Sequence, residues 1–248
     1  EPARIETAVE ALLLANRPDG ELPLKGLAVL VTAGPTQEPL DPVRFLTNHS
    51  TGKMGYALAE QARDLGAQVT LVSGPVALDA LYGVDVVNVT TAQDMFDAVT
   101  NRFTDTDITV MAAAVGDFRP VEQARDKIKK NGRSGIELEL TSNPDILAWA
   151  GEHKRPDQTL CGFAMETRDL EANAAKKLNG KHCDMLVANN LRTPGAGFAT
   201  DTNVVTVLTP GETADRPSIE RWSKMGKDAL AKRILVKLAA MRADGERR

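Results

Sequence analysis

The run from Leu27 to Ala33 is almost wholly apolar, with no polar–apolar alternation, and a helix pattern and a second such run follow it. A strand without alternation has to be covered on both faces, and parallel sheets flanked by helices do this. The pattern predicts a helix from about Gly52 to Leu65, stopped by Gly66, and a second buried strand over Ala67–Val72. Together these make one strand–helix–strand unit, for which a parallel crossover is the default. Further along, Val84–Val89 reads as a strand, and Thr91–Phe103 as a helix opened by a capping box of Thr91 with Asp94. Ile108–Val115 reads as a buried strand, and Pro144, at the first helical position, starts a helix through Glu152. A strand over Gln158–Ala164, a helix over about Asp169–Leu178, a strand over Met185–Ala188 and an amphipathic helix over Ser223–Arg242 complete the pattern. The fold expected is α/β, a Rossmann-like and mostly parallel sheet with helices on both faces.

Two segments depart from this rhythm. Residues 116–135 are polar and aperiodic, and they contain Lys127, Ile128, Lys129 and Lys130. Ile136–Leu140 and Val204–Leu208 alternate as half-exposed strands do. They suggest an antiparallel arm outside the parallel sheet, which serves either as a dimer contact or as cover for a sheet edge.

Composition narrows the function classes. In 248 residues, 42% are hydrophobic and 26% charged, which suits a globular protein with a real core. The net charge of −4 lacks the basic surplus of a general nucleic-acid binder. No apolar run approaches the roughly 20 residues of a membrane span, and no basic segment precedes an apolar one at the start, as in a signal peptide. The two cysteines, Cys161 and Cys183, lie in or beside apolar runs and read as buried free thiols of a reducing, cytoplasmic compartment. His49, His153 and His182 show no metal-ligand spacing, so no protein metal site is assigned.

The most informative stretch is the loop of about eighteen residues from Gly34 to Thr51, between the first strand and the first helix. In an open α/β sheet this is where ligand phosphates meet the free N–H groups of a helix start. Connections of this kind usually take two to six residues, and long loops in compact domains are usually functional. The dinucleotide pattern G-x-G-x-x-G is absent, as is an acid at the end of the second strand, where Ser73 and Gly74 stand. Gly52-Lys53 is followed by Met54, so the loop is not a P-loop either. Gly52 and Gly55 would allow close backbone approach.

Thr32-Ala33-Gly34-Pro35-Thr36, Glu38-Pro39-Leu40-Asp41-Pro42-Val43-Arg44 and Asn48-His49-Ser50-Thr51-Gly52-Lys53-Met54-Gly55 together resemble phosphopantothenoylcysteine synthetases. The resemblance continues in order through Ala112-Ala113-Ala114-Val115-Gly116-Asp117-Phe118-Arg119-Pro120 and Lys127-Ile128-Lys129-Lys130. It extends to Asn143-Pro144-Asp145-Ile146-Leu147, Gly162-Phe163-Ala164-Met165-Glu166-Thr167 and Asp184-Met185-Leu186-Val187-Ala188-Asn189. It covers about residues 25–240. The start, Glu1 to Leu14, resembles the segment that follows a flavin-dependent decarboxylase domain in bacterial relatives. Residues 1–24 are therefore expected to be a helix and linker, and residues 25–248 the synthetase half of a bifunctional protein, FMN belonging to the other half.

The resemblance implies a ligase of coenzyme A synthesis. Phosphopantothenate and cysteine would be joined at the expense of CTP, through an acyl-cytidylate, with CMP and pyrophosphate released. CTP rather than ATP is implied by the bacterial type, because base-edge contacts are not visible in a sequence. Mg²⁺ would arrive on the triphosphate. Asn48 would donate to the acyl oxyanion, Arg44 would hold phosphate through its planar fork, and Lys127 would neutralise triphosphate charge as pyrophosphate leaves. Arg44, Asn48 and Ala114 would bind phosphopantothenate. Gly34, Met111, Ala112, Ala113, Asp117, Lys127, Asn143, Pro144, Asp145, Ile146, Phe163, Lys177 and Lys181 would bind the nucleotide. A cytoplasmic homodimer using the antiparallel arm is the implied assembly, with no nucleic-acid or membrane partner. Read without the resemblance, the chain could also be a nicotinamide-dependent oxidoreductase on the same fold, or a non-catalytic nucleotide-binding domain.

Overall fold

A computed structural model describes residues 22–130, 132, 134–166, 169–190, 200–213 and 216–245. Of the helix and linker expected over residues 1–24, residues 1–21 lie outside them. The first strand, β1 (Ala28–Ala33), is followed by two short strands in the long loop, β2 (Glu38–Pro39) and β3 (Phe45–Leu46). Then come α1 (Lys53–Asp64), β4 (Gln68–Ser73), β5 (Asp85–Asn88), α2 (Ala92–Phe103) and β6 (Ile108–Met111). A small hairpin of β7 (Phe118–Pro120) and β8 (Leu140–Ser142) precedes α3 (Ile146–His153), β9 (Thr159–Glu166), α4 (Leu170–Gly180) and β10 (Met185–Asn190). The chain ends with β11 (Thr202–Thr213), β12 (Arg216–Gly226) and α5 (Lys227–Gly245).

The main sheet has the order β12-β11-β10-β9-β6-β1-β4-β5. Its members from β10 to β5 run parallel, and β11 and β12 are added antiparallel. The unbroken apolar runs have the predicted cause. Val29 and Val31 point into one core with Leu58 of α1 and Leu230 and Ile234 of α5. Leu30, on the opposite face, packs with Met95 and Val99 of α2 and Leu178 of α4. The chain builds β4 and β5 on one side of β1, then crosses to place β6, β9 and β10 on the other, so the order reverses between β1 and β6. At such a switch point the loops leaving two neighbouring strands diverge and open a crevice.

The predicted capping box is present. Thr91 Oγ1 accepts from Asp94 N at 3.1 Å, and Thr91 N donates to Asp94 Oδ2 at 2.8 Å. Both cysteines are free and buried, and burial, with the Asp184 charge behind it, pushes Cys183 up to about 12. Such thiols are inert.

Four expectations need correction. Pro144 is not the first helical residue. Asp145 caps α3, its Oδ1 accepting from Ala148 N at 2.9 Å, so a free backbone amide took the available carboxylate. The strand read over Ile108–Val115 ends at Met111, because the backbone after it turns to bond with the loop leaving β1. The alternating segments Ile136–Leu140 and Val204–Leu208 do not pair as one arm. Only Leu140 of the first is in a strand, paired with β7, whereas the second lies in β11, bonded to β10 and β12 within the main sheet. Finally, the last helix begins at Lys227, and residues 216–226 form an edge strand in which Trp222 alone is buried. A strand with a single buried side chain leaves no alternation to read.

Candidate functional site

The carboxyl ends of β1, β6, β9 and β10 border a cleft of two joined chambers. The first, of about 330 Å³, is lined by Asn48, Ser50, Gly52 and Lys53, by Ala112 and Ala114, and by Asn189, Asn203 and Lys227. The second, of about 440 Å³, is lined by Met111, Gly116, Asn143, Pro144, Asp145 and Ile146. Ala113, Val115, Asp117, Phe163 and Lys177 border both, so the chambers are continuous.

The loop leaving β1 is not loose. Glu38 is buried, and its carboxylate accepts from Ala92 N at the start of α2 (3.0 Å). Gln37 N reaches Thr90 O at 2.8 Å, and β2 pairs with β3. Asp41 forms the turn between them. Its Oδ1 accepts from Val43 N and Arg44 N at 2.9 Å each, a usual use of Asp in turns. The loop is also bonded to the one leaving β6. Ala114 N donates to Gly34 O at 2.9 Å, Gly116 N to Thr36 Oγ1 at 2.9 Å, and Ala113 N to Thr32 Oγ1 at 3.1 Å. The switch point is thus held open as a shaped crevice.

Gly52 caps α1 with φ 78°, a left-handed conformation that favours glycine. Gly55 borders the first chamber and is also tightly packed: a Cβ there would stand 2.5 Å from Ala33 Cβ and 2.9 Å from Thr32 O. Ser73 and Gly74 are also packed. Ser73 is buried beside Tyr56, and a Cβ on Gly74 would stand 1.8 Å from Pro35 O, so the site of a ribose-binding acid is filled by backbone.

The cleft gathers Asn48, Ala112, Ala113, Ala114, Asp117, Phe163 and Lys177, together with Met111 and the run from Asn143 to Ile146. Asn48 Nδ2 donates to Ala114 O at 2.6 Å, and its Oδ1 accepts from Ser50 N at 3.0 Å. A carboxamide has two N–H donors, so one remains for a ligand. Ala114 spends its amide on Gly34 and its carbonyl on Asn48 and Thr36, and so laces the crevice together. Asn143 is gripped from two sides: its Nδ2 donates to Gly116 O at 2.8 Å, and Arg119 Nη1 donates to its Oδ1 at 3.0 Å.

Four expected residues stand apart from the chambers' walls. Gly34 lies behind the lining, where a Cβ would meet Val76 at 2.9 Å. Lys181 caps the end of α4 and pairs with Asp145 Oδ2 at 2.5 Å. Burial alone would raise the Asp145 carboxyl, but Lys181 and the Ala148 amide bring it below its usual value. Arg44 donates to Asp41 through Nε and Nη2 and to Ile128 O at 2.8 Å, so its fork is held by the protein. The Arg44 guanidinium in turn holds the Asp41 carboxyl well below the usual carboxylate range, against the effect of burial. Lys127 is exposed.

The first chamber also contains residues that the sequence reading did not assign. Asn189 is buried, its Nδ2 bonded to Asn203 Oδ1 at 3.1 Å, and its own Oδ1 has no partner among the described residues. Lys227 is buried at the start of α5, and burial, aided by the Lys53 charge, lowers its pKa. Asn189 stood at the end of a recognised stretch, but nothing local marked Asn203 or Lys227. Among the described residues no group of three His, Cys, Asp or Glu side chains could hold a metal ion, and no helix is long and apolar enough to cross a membrane.

The pattern of the family described as DNA/pantothenate metabolism flavoprotein C-terminal domain matches residues 24–241. The chain is 48% identical over 209 residues to the Coenzyme A biosynthesis bifunctional protein CoaBC of Bacillus subtilis (strain 168), covering 83% of this chain and 51% of that protein. It is 43% identical over 215 residues to the protein of the same name from Vibrio vulnificus (strain YJ016), covering 86% and 54%. The chain thus spans about half the length of these curated relatives. A crystal structure of the C-terminal domain of a CoaBC protein superposes with a TM-score of 0.75 at 39% identity, covering 90% of this chain and 99% of that one.

Proposed function

The chain belongs to the DNA/pantothenate metabolism flavoprotein C-terminal domain family, and on that footing we propose that it joins 4'-phosphopantothenate to L-cysteine using CTP. The observation that carries this reading is the two-chambered cleft. It brings the stretches at Asn48, Ala112–Asp117, Asn143–Ile146 and Phe163 together at the switch point of the sheet, although they are far apart in the chain.

A carboxylate is a poor acyl donor at neutral pH and has to be activated. Its attack on the α-phosphorus of CTP expels pyrophosphate and leaves an acyl-cytidylate, and the cysteine amine then displaces CMP. The protein contributes positioning and charge stabilisation, with no covalent bond to the chain. The second chamber suits the nucleoside, with Phe163 and Lys177 at the junction. The remaining Asn48 amide hydrogen serves the acyl oxygen as it gains charge. Lys127 and Arg44 act on phosphate charge, Lys127 during activation. Lys181 acts through Asp145 at the rim. Asn189 Oδ1, a buried acceptor in the first chamber, calls for a ligand donor. Mg²⁺ would travel on the triphosphate, with Asp117 the exposed carboxylate at the junction.

The same reading makes residues 1–24 a linker from a fused FMN-dependent decarboxylase domain and places the enzyme in the cytoplasm. It makes the chain a homodimer. The β7–β8 hairpin and the neighbouring β2–β3 loop expose Val43, Phe45, Phe118, Val121, Leu138 and Leu140, an apolar surface suited to a second copy.

The test is pyrophosphate release from the purified chain. Release should require CTP, phosphopantothenate and Mg²⁺, and conversion of the acyl-cytidylate to amide should require cysteine. Release that ignores phosphopantothenate, or equal initial rates with ATP and CTP, would refute the substrate assignment or the base preference respectively.

A further inference from the structure

Asp41 is 2% exposed, yet it is no part of the cleft wall. Its Oδ1 closes its own turn, as described above. Its Oδ2 is spent elsewhere: it accepts from Arg44 Nε at 3.0 Å, from Arg44 Nη2, and from Ile128 N at 3.1 Å across 87 positions of sequence. Arg44 Nη2 then donates to Ile128 O at 2.8 Å. Both backbone groups of Ile128 are therefore taken by one ion pair, whose Asp41 side is buried and whose Arg44 side chain is half-exposed, and Ala124 N is bonded to Leu40 O at 2.9 Å just before it. Lys127 and Lys129, on either side of Ile128, are exposed. The lysine segment is held through its backbone, which leaves the ammonium groups beside the clasp exposed.

We infer that Asp41 is a positioning residue, whose carboxylate locks Arg44 and Ile128 into one clasp and so sets where Lys127 and Lys129 stand relative to the cleft. The functional consequence rests on the activation role proposed above for Lys127. The clasp itself is a matter of geometry and can be tested apart from activity. Asp41→Asn is nearly isosteric and keeps an oxygen for the turn. It turns an N–H group toward the Arg44 fork and the Ile128 amide, so that three donors lose their acceptor. Ile128→Pro removes the amide from the other side and leaves the turn of Asp41 untouched.

In limited digestion with trypsin, Asp41→Asn should be cut after Lys127, Lys129 and Lys130, and Ile128→Pro, whose new Lys–Pro bond resists trypsin, after Lys129 and Lys130, each at least about tenfold faster than the parent, since cleavage follows local opening. The thermal midpoint of Ile128→Pro should stay near that of the parent, whereas Asp41→Asn should lose several degrees through its unpaired donors. In steady-state assays the KM for CTP should rise about tenfold and the KM for cysteine should not, because cysteine enters after the triphosphate has gone. Parental cleavage rates in both variants would overturn the inference. Fast cleavage with an unchanged KM for CTP would uphold the clasp and refute the role of Lys127 in activation.

Discussion

The loop of residues 34–52 and the segment of residues 121–139 are both long polar excursions beside the cleft, and they are built in opposite ways. The first is bonded along its length. Glu38, Gln37, Thr36 and Asn48 each reach into the sheet's surroundings, Asp41 closes its internal turn, and its two short strands pair. The second, among its described residues, is fastened at a few backbone points, namely Val121 to Glu139, Ala124 to Leu40, and Ile128 to Asp41 and Arg44. Its lysines are exposed. A group that must hold a reacting acyl oxygen within tenths of an ångström needs the first kind of support. A group that balances charge on a triphosphate needs only to be near.

Substitutions in the two regions should therefore differ in size and in kind. The largest effect is expected at Asn48. Asn48→Asp sets a carboxylate oxygen against Ala114 O, where the amide now donates at 2.6 Å, and removes the donor assigned to the oxyanion. Loss of one such donor costs about a hundred- to a thousand-fold. Single-turnover reactions with labelled CTP should show pyrophosphate released, acyl-cytidylate accumulating and amide formation slowed by that factor. If pyrophosphate release is blocked as well, the loop serves activation too.

A smaller loss is expected at Lys127. Lys127→Gln should slow pyrophosphate release by roughly ten- to a hundred-fold, with no accumulated intermediate, since a single exposed charge acting on phosphate is worth a few kcal/mol at most. Its thermal midpoint should match the parent's. A lower midpoint would mean that the segment contributes to the fold and the contrast is overdrawn.

The smallest effect separates the regions by stability alone. Gly55→Ala, at the base of the bonded loop, forces a methyl group to 2.5 Å from Ala33 Cβ and should cost about 1–3 kcal/mol, or several degrees of midpoint. Gly135→Ala, in the other segment, meets nothing within 4 Å and should stay within about 0.5 kcal/mol of the parent. Differential scanning calorimetry on the two variants would decide it. Equal midpoints would remove the distinction.

Much of this was legible beforehand. The strands came from apolar runs that only a two-sided burial explains, and the loop of residues 34–51 from its length at a place where α/β sheets bind ligands. The capping box of Thr91 and Asp94 is local chemistry and appeared as read. What failed to show depended on distance or on exposure. Residues 216–226 form a strand because β11 offers an edge, and their own sequence has no period to betray it. Ile136–Leu140 and Val204–Leu208 look alike as patterns but serve different sheets, since alternation reports one wet face and is silent about the partner.

Within the site the division is similar. Residue types at short spacing, such as Asn48 beside Gly52 or the pair Ala113 and Ala114, point to a ligand because helix starts and strand ends expose N–H groups by geometry. The sequence by itself therefore determined a parallel sheet, its crossing helices and the loops that would meet a phosphate-bearing ligand. Only the tertiary structure decided which polar groups are already committed. Arg44 is held by Asp41 and Ile128, Lys181 by Asp145, and Ala114 by Gly34, Thr36 and Asn48, while Asn189 keeps a buried oxygen without a partner among the described residues. A hydrogen bond is satisfied by whatever lies about 3 Å away in space, and no local pattern encodes a neighbour 87 residues distant.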